Sequence, residues 1–217
     1  MASRPAPPKP TLRGALHHWA ALVSFGAGSV LVGMAPSTRS AWAAFAHSLG
    51  MFLLFAISAA YHRPTWNKKA RAWMRRLDHA AIFVLIAGSY TGICLLALPP
   101  EISQTVLTIV WIGAGAGILQ SLLWVHAPKP LTAVLYLILG WSIIPYFSEL
   151  KAGISLTNLM LLLIGGAAYT AGAVIYAVRR PNPWPRVFGY HEIFHALTIV
   201  ACGLHFLALL SMVKQSG

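Results

Sequence analysis

Acidic residues are scarce in this chain of 217 residues, which has only 4 Asp and Glu side chains against 16 Lys and Arg. Charged residues of both signs make up 9% of the sequence, whereas 58% of it is hydrophobic. Soluble globular domains carry about 25% charged residues. The composition therefore excludes an ordinary soluble domain and indicates an integral membrane protein.

Other absences narrow the class of function. The two cysteines, Cys94 and Cys202, lie too far apart in the sequence for a cysteine metal motif. The chain has no glycine-rich phosphate loop, no nucleophile elbow and no long-range repeat. It also lacks the alternating pattern of barrel strands, so membrane-spanning segments must satisfy their backbone groups as helices.

Seven apolar runs are long enough to cross a bilayer, which takes about 20 residues in a helix. They cover roughly residues 16–35, 41–61, 77–98, 103–125, 131–148, 154–178 and 189–212. We therefore predict an all-α bundle of seven transmembrane helices, forming a single membrane domain over residues 15–213. The first run has no cleavage pattern after it, so we expect it to remain as a helix. Residues 1–14 are basic and Pro-rich, which predicts a disordered cytoplasmic tail.

The distribution of Lys and Arg predicts the orientation of the bundle. If the N-terminus is cytoplasmic, all but three of the 16 basic residues fall on the cytoplasmic side, and the exceptions are Arg39, Lys151 and Lys214. The positive-inside rule then places the C-terminus outside. Because the charges sit in short loops, they favour attraction to anionic lipid and not binding to nucleic acid.

The last apolar run contains His191 and His195, four residues apart. On a helix this spacing separates two side chains by about 40° around the axis and roughly 6 Å along it. Both imidazoles can therefore bind one metal ion, or each can hydrogen-bond to a neighbouring helix. Ionisable groups at membrane depth are costly and often mark a functional site.

The predicted topology brings further polar residues to the same depth. His62 ends the second helix, with Ser58 one turn deeper, and Asp78 lies in the first turn of the third helix. These residues and the histidine pair all fall near the cytoplasmic face. Catalytic zinc sites typically use three protein ligands and leave one position for water.

Three segments resemble the signature blocks of the hemolysin III proteins. They are SAAYH at 58–62, LDHAAIFVLIAGSYT at 77–91 and HEIFHALTIVACGLHF at 191–206. That family belongs to the wider progestin and adiponectin receptor (PAQR) superfamily and shares its Ser-x3-His, Asp and His-x3-His pattern with alkaline ceramidases. The resemblance covers the whole seven-helix layout.

The resemblance implies a zinc ion held by His62, His191 and His195 near the cytoplasmic face. It also implies that Asp78 and Ser58 surround the bound water as catalytic groups, and that the protein lies in a bacterial inner membrane. Zinc bound by three neutral imidazoles activates water and polarises a carbonyl group. Three imidazoles also favour zinc over calcium or magnesium.

Two classes of function follow. The first is a zinc-dependent intramembrane hydrolase that acts on a lipid amide or ester. The second is a non-enzymatic protein that adjusts or permeabilises the membrane, in which zinc has a structural role. Both have the lipid bilayer as their partner, and the sequence does not indicate an oligomeric state.

Polar residues near these blocks have simpler interpretations. Glu192 lies about 100° around the helix from His191, so we expect it to pair with a loop Arg or Lys. His205 lies about 15 Å beyond His195, too far to share a metal ion, and is expected to hydrogen-bond to another helix or to line a cavity. His17 and His18 are expected at the membrane interface. Pro145 should kink the fifth helix or free a carbonyl group.

Overall fold

The computed structural model describes residues 9–217. Within that range, eight α-helices make up seven spans that are long and apolar enough to cross a membrane. The helices are α1 Ala15–Gly33, α2 Thr38–His62, α3 Lys68–Ala97, α4 Pro100–Leu123, α5 Lys129–Gly140, α6 Phe147–Gly153, α7 Leu156–Val178 and α8 Tyr190–Gln215. The fifth span combines α5, a 3-10 turn at Ile144–Tyr146 and α6. The predicted all-α, seven-span fold is confirmed.

The helices pack mainly on their neighbours in sequence, and α8 closes the bundle by contacting α1, α2, α3 and α7. The closest approach of α2 and α3 depends on Gly88, where an added Cβ atom would run into the backbone carbonyl of Ala46. Small residues at such crossings let two helix backbones approach closely, as is usual in membranes. This contact fixes the depth of α3 relative to α2, the two helices that carry Asp78 and His62.

Helix α3 begins about nine residues earlier than its apolar run predicts. The side chain of Asn67 accepts a hydrogen bond from the backbone N–H of Ala70 at 2.8 Å, which caps the helix at Lys68. The basic segment was therefore wrongly expected to be a loop, and Asp78 lies about three turns into the helix and not in its first turn. Asp78 nevertheless reaches the depth of His62.

The fifth span is broken where a continuous, kinked helix was expected. Helix α5 ends at Gly140, and Pro145 lies inside the short 3-10 turn. The hydroxyl of Tyr90 on α3 donates to the Gly140 carbonyl at 2.8 Å and accepts from the Ile143 N–H at 3.0 Å. A side chain of another helix thus satisfies backbone groups that the break leaves free, which is a requirement at membrane depth.

One end of the bundle, which we call the basic end, is formed by the segment before α1 and by three connections between helices: residues 9–14, 63–67, 124–128 and 179–189. Residues 1–8 of the predicted tail fall outside the described residues. The segment after them is tied down, since the N–H groups of Thr11 and Leu12 donate to the carbonyls of Arg186 and Val187 at 3.0 and 3.3 Å.

Positive charge is concentrated at the basic end. The Lys9 ammonium donates a hydrogen bond to the carbonyl of Arg63 at 3.1 Å. Partial burial, followed by the charges of Arg71, Arg13 and Arg63, lowers the pKa of Lys9. That this end faces the cytoplasm stays a prediction from the positive-inside rule.

Candidate metal centre

Three histidines from two helices meet inside the basic end of the bundle. His62 is the last residue of α2, and His191 and His195 lie in the first two turns of α8. Each offers a ring nitrogen, and these three atoms all lie within 4.8 Å of one another. The Nε2 atoms of His62 and His191 are 3.2 Å apart. The three buried side chains could hold a metal ion together.

The acidic and hydroxyl side chains expected near the histidines lie beside them. The Asp78 Oδ2 atom is 3.8 Å from Nε2 of His62. The Ser58 side chain, one turn before His62 on α2, lies next to the Asp78 carboxylate. Three helices, α2, α3 and α8, thus bring a carboxylate, a hydroxyl group and three imidazoles into one polar cluster in an apolar bundle.

Glu192 anchors the start of α8 and does not join this cluster. Its carboxylate has no exposed area and forms an ion pair with Arg13, while its second oxygen accepts the N–H of Gly189 at 2.8 Å. The expected pairing of Glu192 with a basic residue outside the helix is confirmed. Because Glu192 follows His191 directly, the ion pair holds the first turn of α8, which carries His191, against the segment that precedes α1.

A fourth histidine lies at the cluster, and the sequence did not predict it there. His17 of α1 is buried, with 2% of its surface exposed, and not at the interface as expected. Its ring stacks on that of His195, with 3.8 Å between centroids and 11° between planes. His17 and His195 lie on the first and last described helices, so no spacing in the sequence relates them. The one sequence feature at His17 is the pair of adjacent histidines, His17 and His18, at the start of the first apolar run.

A cavity of about 420 Å³ opens from the cluster into the bundle. Ser58, Asp78, His191 and His195 line it at the basic end, and most of the remaining lining is apolar. Along α3 the lining continues from Asp78 to Ile93. A helix rises 1.5 Å per residue, so the cavity extends for roughly 22 Å along the bundle axis.

Three further polar side chains, of His205, His47 and Tyr90, lie deeper in the bundle, away from the three nitrogens. His205 lines the cavity, and its Nε2 atom donates to the Leu162 carbonyl at 3.1 Å, so both roles expected for it are confirmed. His47 is bonded to Ser89 at 3.2 Å. Tyr90 lines the cavity while bonding the broken fifth span.

Comparison with known proteins agrees with this arrangement. The profile of the family described as "Haemolysin-III related" matches residues 6–206. The "Hemolysin-3 homolog" of Bacillus subtilis (strain 168) is 31% identical over 197 residues, which cover 89% of each chain. "Hemolysin-3" of Bacillus cereus is 30% identical over 181 residues, 83% of this chain and 80% of that protein.

A more distant similarity extends to animals. The "Adiponectin receptor protein" of Drosophila melanogaster is 29% identical over 175 residues, which cover 73% of this chain and 39% of that protein. The match to the family profile takes in all seven spans nearly to the end of α8. Together with the seven-helix fold, these findings show that the chain is a membrane protein of the hemolysin III family, related to the adiponectin receptors.

Proposed function

We propose that this protein is a zinc-dependent hydrolase that cleaves a lipid amide or ester within the membrane, near the cytoplasmic face. The observation that carries this proposal is the position of the three histidines at the head of a long apolar cavity, beside Asp78 and Ser58. A structural metal site is usually closed, whereas a catalytic one keeps a position open to water and substrate.

The donor set fits zinc. Imidazole nitrogens bind zinc at about 2.0–2.1 Å, and two such ligands at tetrahedral angles lie roughly 3.3–3.4 Å apart. The separation of 3.2 Å between the Nε2 atoms of His62 and His191 is close to that value. His195 comes from the next turn of α8 and supplies a third nitrogen. Calcium and magnesium prefer oxygen ligands, which makes this set unsuitable for them.

When bound there, zinc would activate water and polarise the scissile carbonyl. The Asp78 carboxylate, 3.8 Å from Nε2 of His62, would orient the attacking water and accept its proton at Oδ2. The Ser58 hydroxyl lies beside that carboxylate and would donate a hydrogen bond to it, which fixes its direction.

The cavity would bind the lipid chain. Its lining beyond the polar cluster is mainly leucine, isoleucine and aromatic side chains, which exclude water and suit a hydrocarbon chain. A chain held along α3 would place its polar end at the histidines. The cavity would therefore orient the carbonyl group of an amide or ester toward Asp78.

A second candidate function is a non-enzymatic one, in which the metal joins α2 to α8. Its support is the name Hemolysin-3 carried by the Bacillus cereus relative, which describes permeabilisation of membranes. In this case the three histidines would stabilise the bundle and Asp78 would have no part in turnover.

Metal content and lipid turnover separate the two candidates. We expect about one zinc per chain by elemental analysis of the native protein purified in detergent, and much less in His195→Ala. We expect Asp78→Asn to keep its zinc and to lose about 10²–10⁴-fold in turnover of lipid amides and esters followed by mass spectrometry. The matched control is Glu101→Gln, the same chemical change on an exposed residue at the start of α4.

The outcomes are distinct. Near-zero metal in both the native protein and His195→Ala would contradict the zinc site. Normal zinc together with full turnover in Asp78→Asn would contradict the role of Asp78. Zinc in the native protein without turnover of any lipid, combined with leakage of dye-loaded vesicles, would favour the second candidate.

A further inference from the structure

His17 has a contact with the metal centre that its position in the sequence does not suggest. The residue lies in the first turn of α1, and its ring contacts those of Phe55 and His195. The ring of Phe55 is tilted by 55° at 5.0 Å, whereas that of His195 is nearly parallel at 3.8 Å. One imidazole face of His195 is therefore covered by His17.

His17 is not placed to bind the same ion. The lone pair of an imidazole nitrogen points outward in the plane of the ring. Because the rings of His17 and His195 are nearly parallel, with centroids 3.8 Å apart, their lone pairs point along separate planes and do not converge on one ion. The cluster of nitrogens that could hold a metal accordingly consists of His62, His191 and His195.

The orientation of His195 needs another explanation. A metal-binding histidine usually donates its second ring N–H to a carboxylate, a carbonyl or water, which fixes the ring. Within residues 9–217, no side chain or carbonyl hydrogen-bonds the ring of His195, although His62 and His191 approach each other through their Nε2 atoms. The rings of His191 and His62 lie at 4.5 and 5.1 Å from that of His195 and are tilted by about 60°, whereas the ring of His17 is the nearest at 3.8 Å and stacks on its face.

The nitrogens of His17 point to the same role. In the described part of the chain neither has a hydrogen-bond partner, and the carbonyl oxygen of His195 lies close but outside hydrogen-bonding geometry. The ring is buried and its nitrogens are unpaired, so the close contact that it makes with His195 is through its face. Offset stacking is a favoured arrangement of two aromatic rings, so the pair keeps the plane of the His195 ring parallel to that of His17.

We propose that His17 is a positioning residue of the metal centre, which stacks on His195 and holds the plane of that ring so that its nitrogen faces the ion. The inference rests on the proposed zinc site and adds to it a residue from the first helix. Three helices, α1, α2 and α8, would then build the centre, two through ligands and one through an aromatic face.

Zinc affinity tests this role without reference to catalysis. Competition with a chromophoric chelator would be measured for the native protein and for His17→Ala, His17→Phe and His17→Gln. Loss of a group that orients a ligand typically weakens metal binding about 10–100-fold. We expect that loss in His17→Ala and His17→Gln, which have no ring, and affinity close to the native value in His17→Phe, which restores an aromatic face.

A matched control is His47→Ala, which removes another buried histidine at a site bonded to Ser89 and outside the metal centre. We expect it to leave zinc affinity unchanged. The visible spectrum of the cobalt-loaded protein reports ligand geometry, and we expect it to change in His17→Ala but not in His17→Phe. Circular dichroism and gel filtration establish that each variant is folded.

Two results would overturn the inference, and a third would overturn the proposed function on which it rests. Native affinity in His17→Ala would show that the stack does not matter. Recovery in His17→Gln but not in His17→Phe would show that hydrogen bonding is the operative contact. If His17→Ala fails to fold, the zinc affinities of His17→Phe and His17→Gln still decide whether the aromatic face of residue 17 is needed. Absence of zinc from the native protein would instead overturn the proposed function on which the inference rests.

Discussion

Replacing Arg13 by alanine should destabilise the bundle by leaving a buried carboxylate without its partner. Glu192 has no exposed surface, and its remaining hydrogen bond is the one from the Gly189 N–H. Removing one partner of a buried ion pair costs about 3–5 kcal/mol. The Arg13 side chain is 21% exposed, so water reaches part of the pair and we expect a loss near the lower limit, about 3 kcal/mol.

A double-mutant cycle with Glu192→Gln isolates the contribution of the ion pair. The measured quantity is the free energy of unfolding of the detergent-purified protein, from titration with a denaturing detergent. In the Glu192→Gln background no charge is left unpaired, so Arg13→Ala should cost about 1 kcal/mol, the usual contribution of one hydrogen bond. The two substitutions should therefore couple by roughly 2 kcal/mol.

The control is Arg39→Ala, which removes an exposed arginine that donates one hydrogen bond to the Leu95 carbonyl at 2.6 Å. We expect it to cost about 0.5–1.5 kcal/mol, as for a single hydrogen bond. Equal costs of Arg13→Ala in the native and Glu192→Gln backgrounds would refute the reasoning, because the charges would then act independently.

Two further predictions concern the packing of α3. Gly88→Ala should destabilise the bundle by about 1–3 kcal/mol in the same denaturation assay, since its Cβ atom would run into the Ala46 carbonyl. The control is Gly26→Ala, whose Cβ atom would meet nothing within 4 Å and which should be neutral or stabilising. Equal effects of both substitutions would contradict the close α2–α3 approach. Tyr90→Phe should cost about 1–3 kcal/mol and speed hydrogen–deuterium exchange in residues 141–146, because the break in the fifth span loses its bonds to the hydroxyl. Unchanged exchange there would show that the hydroxyl does not hold the break.

The features that the sequence predicted well are local ones. Apolar runs of sufficient length mark the seven spans, and the four-residue spacing of His191 and His195 places both on one face of α8. Because successive spans cross the membrane in opposite directions, the sequence also predicts that His62 lies at the depth of His191 and His195, and the three side chains do lie together. The choice of zinc and the roles of Asp78 and Ser58 stay predictions that await the experiments above.

The features that the sequence did not predict depend on contacts between residues distant in the sequence, or on one residue that caps a helix. Asn67 starts α3 within a basic segment that hydropathy assigns to a loop. The break after Gly140 is satisfied by Tyr90, which is 50 residues away. The stack of His17 on His195 joins the first helix to the last. No periodicity within one helix could predict these contacts.

The separation of the ligands along the chain constrains how the centre can be assembled in the cell. His62 and His191 are 129 residues apart, and α8 follows the seven other helices of the described residues. During synthesis, α2 reaches the membrane with one ligand while α8 has yet to be made. A three-histidine site therefore cannot be loaded until the final span has been inserted and has closed against α2. Retention of a metal ion would then require α8 to have packed against α2, so a chain truncated before α8 would retain none.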